Sequence, residues 1–183
     1  MCLYKRGTLK VYIERETMAE NMFETAAGSV TGKDHVLAGR NNQDSFYVSQ
    51  NQGVAIAIVA DGCSDNYKAG HISRNETGSQ LGVRILEKSI RMNLHLIDNS
   101  PLTFWYMVKS RVLEKMSEVI LSMGGEIKEI VCNHFLFTCV GAIVSEKKTW
   151  IFSIGDGVYF VNGEMKNLGP FPGNAPPYIA YSM

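Results

Sequence analysis

Cysteine and proline are both scarce in this chain, four and five residues, and neither is distributed as a scaffold would need. The four cysteines, Cys2, Cys63, Cys132 and Cys139, lie far apart with no CxxC pair. That excludes a disulfide framework of the small secreted kind, and free thiols in a reducing cytosol are expected instead. Net charge is missing as well: 18 Lys plus Arg stand against 18 Asp plus Glu, so no overall field draws nucleic acid or an anionic membrane. No uncharged run approaches the ~20 residues of a membrane helix, and the N-terminus lacks an apolar core of signal-peptide length. The expectation is a cytoplasmic protein with neither nucleic acid nor membrane as partner. His35, His71, His95 and His134 are isolated from one another, and no HExxH or other paired metal motif occurs. Around Cys63 there is no phosphate-cradling loop ending in arginine, which argues against cysteine-based phosphoryl chemistry.

A chain of 183 residues can bury one substantial core, and a second full domain is not expected. Residues 1–21 stand apart as an N-terminal extension, with a β-like stretch at Leu9, Val11 and Ile13 followed by charged ERETMAEN; Met18 and Met22 are each candidate true starts. Residues 22–183 form the main domain. Small and β-prone residues from Phe23 to Val48 predict two strands joined by a glycine-rich loop. Next, the run VAIAIVA after Gly53 is apolar at every position and too short for a confident helix, which predicts a strand buried on both faces and ended by the pair Asp61-Gly62. A polar loop, CSDNYKAGHIS, follows. Leu81, Ile85, Leu86, Ile90 and Leu94 then form a helical stripe within about Asn75–Leu96. A second helix starts at Ser100-Pro101, carries Trp105, Val108, Val112, Met116 and Ile120, and stops at Gly124-Gly125. After it the period switches to that of strands, and HFLFTCVGAIV, TWIFSIG and GVYFV lead to Asn162-Gly163, a strong two-residue hairpin signal, so an antiparallel meander is expected. Four of the five prolines fall in the extended tail after Leu168. Strands, two helices and more strands define an α+β layered domain with helices covering mostly antiparallel sheet.

Three acids sit where chemistry can occur. Asp61 emerges at the end of the buried strand, and the Gly62 carbonyl is placed to point the same way, so two oxygens converge as Mg²⁺ or Mn²⁺ requires. Read alone, Asp-Gly is a turn. Asp44 lies in GRNNQDSF beside two amides and Arg40, whose planar fork suits a phosphate; read alone, that segment is a solvated loop. Asp156 lies between two glycines at the join of two apolar strands, which by itself reads as a tight hairpin.

Taken in order, GRNNQDSF, AIAIVADGCSD, SRNETG, FLFTCVGAIV and IFSIGDGVYFVNG resemble the motif blocks of the PP2C (PPM) family of metal-dependent protein serine/threonine phosphatases, over about Phe23–Tyr181. The pair Gln43-Asp44 with His35 upstream resembles the bacterial branch. The resemblance implies a layered sandwich of antiparallel sheets flanked by helices. It also implies two Mn²⁺ or Mg²⁺ ions bridged by Asp61, with the Gly62 carbonyl completing one of them and a third, weaker position facing Asp156. Asp44 would orient bound waters and Arg40 would take the substrate phosphate. A water would attack phosphoserine or phosphothreonine of a protein substrate directly. Gln43 stands where glutamate is frequent, and Cys63 where histidine or methionine is frequent. Two further aspartates that complete the family site, and the strands carrying them, have no counterpart after Asp156. A C-terminally incomplete domain is therefore expected, with a catalytically inactive, partner-binding pseudo-phosphatase as the alternative.

Overall fold

The computed structural model describes residues 2–5, 9–14, 23–64 and 73–183, with 2–5, 9–14 and 174 described as backbone only. The expected starts at Met18 and Met22, and most of the polar loop after Ser64, lie outside the described residues.

Among the described residues nine strands form two antiparallel sheets. The first sheet has the order β3-β2-β1-β8-β9, with β1 Cys2–Lys5, β2 Leu9–Glu14, β3 Glu24–Gly28, β8 Gly157–Val161 and β9 Glu164–Leu168. The second has the order β4-β5-β6-β7, with β4 Asp44–Asn51, β5 Val54–Gly62, β6 Phe137–Ser145 and β7 Thr149–Ile154. The expected α+β sandwich of antiparallel sheets with flanking helices is the fold found. The strand anticipated around Leu9–Ile13 is β2, paired to both β1 and β3.

The uninterrupted apolar run of β5 feeds two different cores, because successive side chains of a strand point to opposite faces. Ile56, Ile58 and Ala60 face the helices, together with Phe137, Cys139 and Ile143 of β6. Ala55, Ala57 and Val59 face the other sheet with Val140 and Ala142, where Phe23, Ala27, Tyr159 and Leu168 complete the layer. Small side chains on this second face let the sheets approach closely. Over the first face lie α2 (Glu76–Asn93) and α3 (Pro101–Met123), the two helices read from their stripes. α3 buries Phe104, Val108, Val112, Met116 and Ile120, while Trp105 is half-buried against Phe152. Gly82 of α2 leaves room for the Phe137 ring, which a Cβ there would meet at 2.2 Å.

The structure corrects or adds to the sequence expectations at four places. The Phe23–Val48 segment holds the two expected strands, β3 and β4, but they belong to different sheets and the loop between them carries a single helical turn, α1 (Lys33–Leu37). The meander is broken between β7 and β8, where the chain leaves one sheet for the other across Gly155-Asp156-Gly157. Both glycines there have positive φ, and a Cβ on Gly155 would lie 2.5 Å from the Thr138 methyl, so the crossing needs glycine for backbone and for space. The Ser100 side chain makes no cap bond; its carbonyl accepts from Phe104 N–H instead. A short helix, α4 (Ile127–His134), buries Ile130 and Val131 and was not anticipated. At the far end of the chain, Ile179 and Ala180 pack back into the helix-side core.

Candidate metal centre

The second sheet sets the site by its register. Asp44 of β4 stands directly opposite Asp61 of β5, and Asp61 stands directly opposite Thr138 of β6. Opposed residues share a face, and Asp61 falls in the series Ala55, Ala57, Val59, so this row lies on the inter-sheet face at the mouth of the sandwich. Gly62 N–H donates to the Gln43 carbonyl at 3.0 Å. By the alternation of antiparallel ladders, Asp44 and Asp61 are then a non-hydrogen-bonded pair, the closer type, with Cα atoms roughly 4.5 Å apart. Two carboxylates placed this way repel unless positive charge lies between them.

The Asp61-Gly62 pair is not a turn. Both residues belong to β5, and Gly62 pairs with Phe137. What Gly62 must satisfy is steric: a Cβ there would lie 2.9 Å from the backbone of Asn75 on one side and of Gln43 on the other. Glycine lets the strand end slip between them and fixes where the Asp61 carboxylate emerges.

A hydrogen-bonded frame holds the surrounding loops. Asn42 Oδ1 accepts from Asp44 N–H at 3.1 Å, and Asn42 Nδ2 donates to Ser29 Oγ at 2.6 Å. The Gln43 side chain is buried; its amide donates to Ser73 Oγ at 3.1 Å and its oxygen accepts from Ser64 at 2.8 Å. Ser79 donates to the Gln43 carbonyl at 2.6 Å, tying α2 to the same residue. Asn75 donates to the Cys63 carbonyl at 2.8 Å and accepts from Leu136 N–H at 3.0 Å, stitching β5 to β6 just beyond Asp61. The glutamine that departs from the family pattern is thus used for both its donor and its acceptor.

Asp44, Asp61 and Gly62 line one hollow of about 330 Å³ together with Lys33, Asp34 and His35 from α1. Arg40 lies in a neighbouring hollow of about 540 Å³ with Ser73, Arg74 and Thr77, and Gln43 forms part of the wall of both. Asp156 is on the sheet crossing, beside Gly169 and within electrostatic reach of Tyr178. Burial first, then the neighbouring Cys63 side chain, with the charge of Asp156 a smaller contribution, holds the Tyr178 phenol well above its ordinary pKa. Tyr178 therefore stands between Asp156 and the residue two places after Asp61. The structure brings Asp44, Asp61 and Gly62 together and sets Arg40 and Asp156 in adjoining places. Sequence reasoning missed Asp34 because α1 is a single turn, and gave Thr138 no role of its own.

Among the described residues no three His, Cys, Asp or Glu side chains cluster as a metal-binding group. The donor set still fits a hard cation. Mg²⁺ characteristically takes one or two carboxylates and keeps several waters, and the facing Asp44 and Asp61, with Gly62 beside them and open space in front, offer that arrangement.

A comparison with curated proteins finds no match to the chain. A family model described as protein phosphatase 2C matches residues 31–176, well over half of the length, a span that includes Arg40, Asp44, Asp61, Gly62 and Asp156. The chain belongs to the protein phosphatase 2C family.

Proposed function

We propose that this domain hydrolyses phosphoserine or phosphothreonine of protein substrates in the cytoplasm, using Mg²⁺ or Mn²⁺ held at Asp61 and Asp44. The observation that carries the reading is the cross-strand pairing of these two carboxylates at the mouth of the sandwich. When bound, such a cation supplies a water acidified enough to attack phosphorus and positive charge for the phosphoryl oxygens. The chain's own residues do the rest. Asp61 and the Gly62 carbonyl would hold the ion from a strand end that Asn75 and Gln43 enclose. Asp44, fixed at its N–H by Asn42, orients water at the same place. Arg40, from the adjoining hollow, takes the substrate phosphate by paired donors, and Asp156 serves a further, weaker ion position on the Tyr178 side.

The absence of a third clustered ligand among the described residues supports a second reading, a non-catalytic domain that binds a partner on the same scaffold. Phosphate release from a phosphothreonine peptide, with calorimetric Mn²⁺ titration alongside, separates the two. The enzyme reading expects release that requires Mn²⁺ and falls at least ~100-fold in Asp61→Asn. Wild-type protein that binds Mn²⁺ through Asp61 without turnover would establish the non-catalytic reading.

A further inference from the structure

Thr138 is 3% exposed, and its hydroxyl has no hydrogen-bond partner in the structure. Buried hydroxyls are nearly always bonded, because leaving water without a replacement partner is costly, so this one needs a reason. Its place in the sheet supplies it. The row across the strands reads Asp44, Asp61, Thr138, and on the far side of Thr138 comes Gly155, which has no side chain to offer. The Thr138 methyl, not its hydroxyl, is the group packed against Gly155. Along β6 on the same face the next residue is Val140, which is apolar and fully buried. The polar side chain beside the hydroxyl in this row is therefore Asp61, whose opposite neighbour is the second carboxylate.

We propose that Thr138 is a positioning residue for the cation site: its hydroxyl donates to the Asp61 carboxylate when the carboxylate pair holds a divalent cation. The inference rests on the metal-site reading given above. A cation held by Asp61 with Asp44 facing it would occupy part of the Asp61 carboxylate, and the Thr138 hydroxyl would donate to the remainder. The bond fixes the rotamer of the ligand, as hydrogen bonds behind metal ligands do. It also couples metal binding to the relief of an unsatisfied buried group, so the hydroxyl weakens the metal-free fold and strengthens the loaded one. Serine can do the same and valine cannot.

The test uses the full chain as wild type, Thr138→Val, Thr138→Ser and Asp61→Asn, with thermal melting in EDTA and Mn²⁺ affinity by calorimetry. Thr138→Val keeps shape and removes only the hydroxyl. It is expected to melt in EDTA no lower than wild type, while its Mn²⁺ affinity falls about tenfold. Thr138→Ser is expected to melt lower, having lost the methyl packed on Gly155, yet to bind Mn²⁺ within about twofold of wild type. A Thr138→Val protein that binds Mn²⁺ as wild type does, or that loses stability in EDTA, overturns the proposal while the Asp61 site stands if Asp61→Asn abolishes binding. Wild type that does not bind Mn²⁺, or Asp61→Asn that binds it unchanged, overturns the site reading and this inference with it.

Discussion

At the Val54 end of β5 the buried Glu87 carboxylate of α2 accepts from Arg91 and from Ser49, both at 2.5 Å, and Arg91 also donates to Ser49 at 2.7 Å. At the Asp61 end of the same strand, a carboxylate is set opposite a second carboxylate on one side and a partnerless hydroxyl on the other. The strand is equally buried between these ends, so the contrast lies in what each cluster is arranged for. One is complete within the fold and pins α2 to the sheet. In the other, a carboxylate faces a carboxylate beside a buried hydroxyl that has no partner, an arrangement suited to a cation. The first end should respond to mutation as structure does, and the second should respond through metal.

The largest effect is expected where the closed cluster is opened. Arg91→Ala would leave Glu87, about 10% exposed at its side chain, with Ser49 as its remaining partner, and should lower unfolding stability by on the order of 3 kcal/mol. Urea unfolding with and without Mn²⁺ checks it: the loss should be the same in both, since this end takes no part in cation binding. A loss that Mn²⁺ repairs would break the comparison. Next comes Gly62→Ala, which drives a methyl into the backbone of Asn75 and Gln43. It should cost roughly 1–3 kcal/mol by overpacking. Unlike Arg91→Ala it should also weaken Mn²⁺ binding, because the strand end must move and Asp61 moves with it.

Much of this could be read from residues, and what could not has a physical cause. β5 was legible because a seven-residue apolar run has few places to go, and α2 and α3 because their stripes persist over several turns. The Asn162-Gly163 hairpin was legible through turn chemistry; the Gln52-Gly53 hairpin between β4 and β5, with the same positive φ angles, was less so because glutamine is a weaker turn residue than asparagine. The passage of the chain from one sheet to the other at Gly155–Gly157 was hidden, since alternation looks the same whether a strand pairs with its predecessor or crosses over. α4 was hidden by its brevity, although Ile127, Ile130 and Val131 carry helical spacing. Asp61-Gly62 was recognised as a site and misjudged as a strand-ending turn, because the pairing that keeps both residues in β5 comes from β6, more than 70 residues away. Thr138 lies in FLFTCVGAIV, one of the blocks that resemble the family, yet only register shows that Asp61 is its neighbour.

A smaller effect should separate the two ends by sign. Asp44→Asn removes one of two facing carboxylates while keeping size and hydrogen bonding, so in EDTA the protein should gain up to about 1 kcal/mol and melt higher by roughly 2–3 °C. In Mn²⁺ the order should reverse, because wild type gains the stabilisation that accompanies binding and the variant loses most of it. Differential scanning calorimetry in both conditions checks this. An Asp44→Asn protein destabilised in EDTA would mean that the pair is already answered within the fold, as Glu87 is.

The smallest effect concerns Tyr178, which joins the Cys63 side of the site to Asp156. Its phenol is raised above the ordinary value by burial first and by the neighbouring Cys63 side chain second, with Asp156 contributing less. A raised pKa means that the folded state keeps its proton where the unfolded chain has lost it. The contribution to stability is therefore whole below the unfolded phenol's range, near 10, and declines as pH rises above it toward the folded value. Tyr178→Phe should remove that part of the alkaline decline, seen as a flatter stability profile between about pH 9 and 11. Phenylalanine keeps the packing of the ring but not its proton, so a profile as steep as that of wild type would place the alkaline decline elsewhere and leave Tyr178 as packing alone.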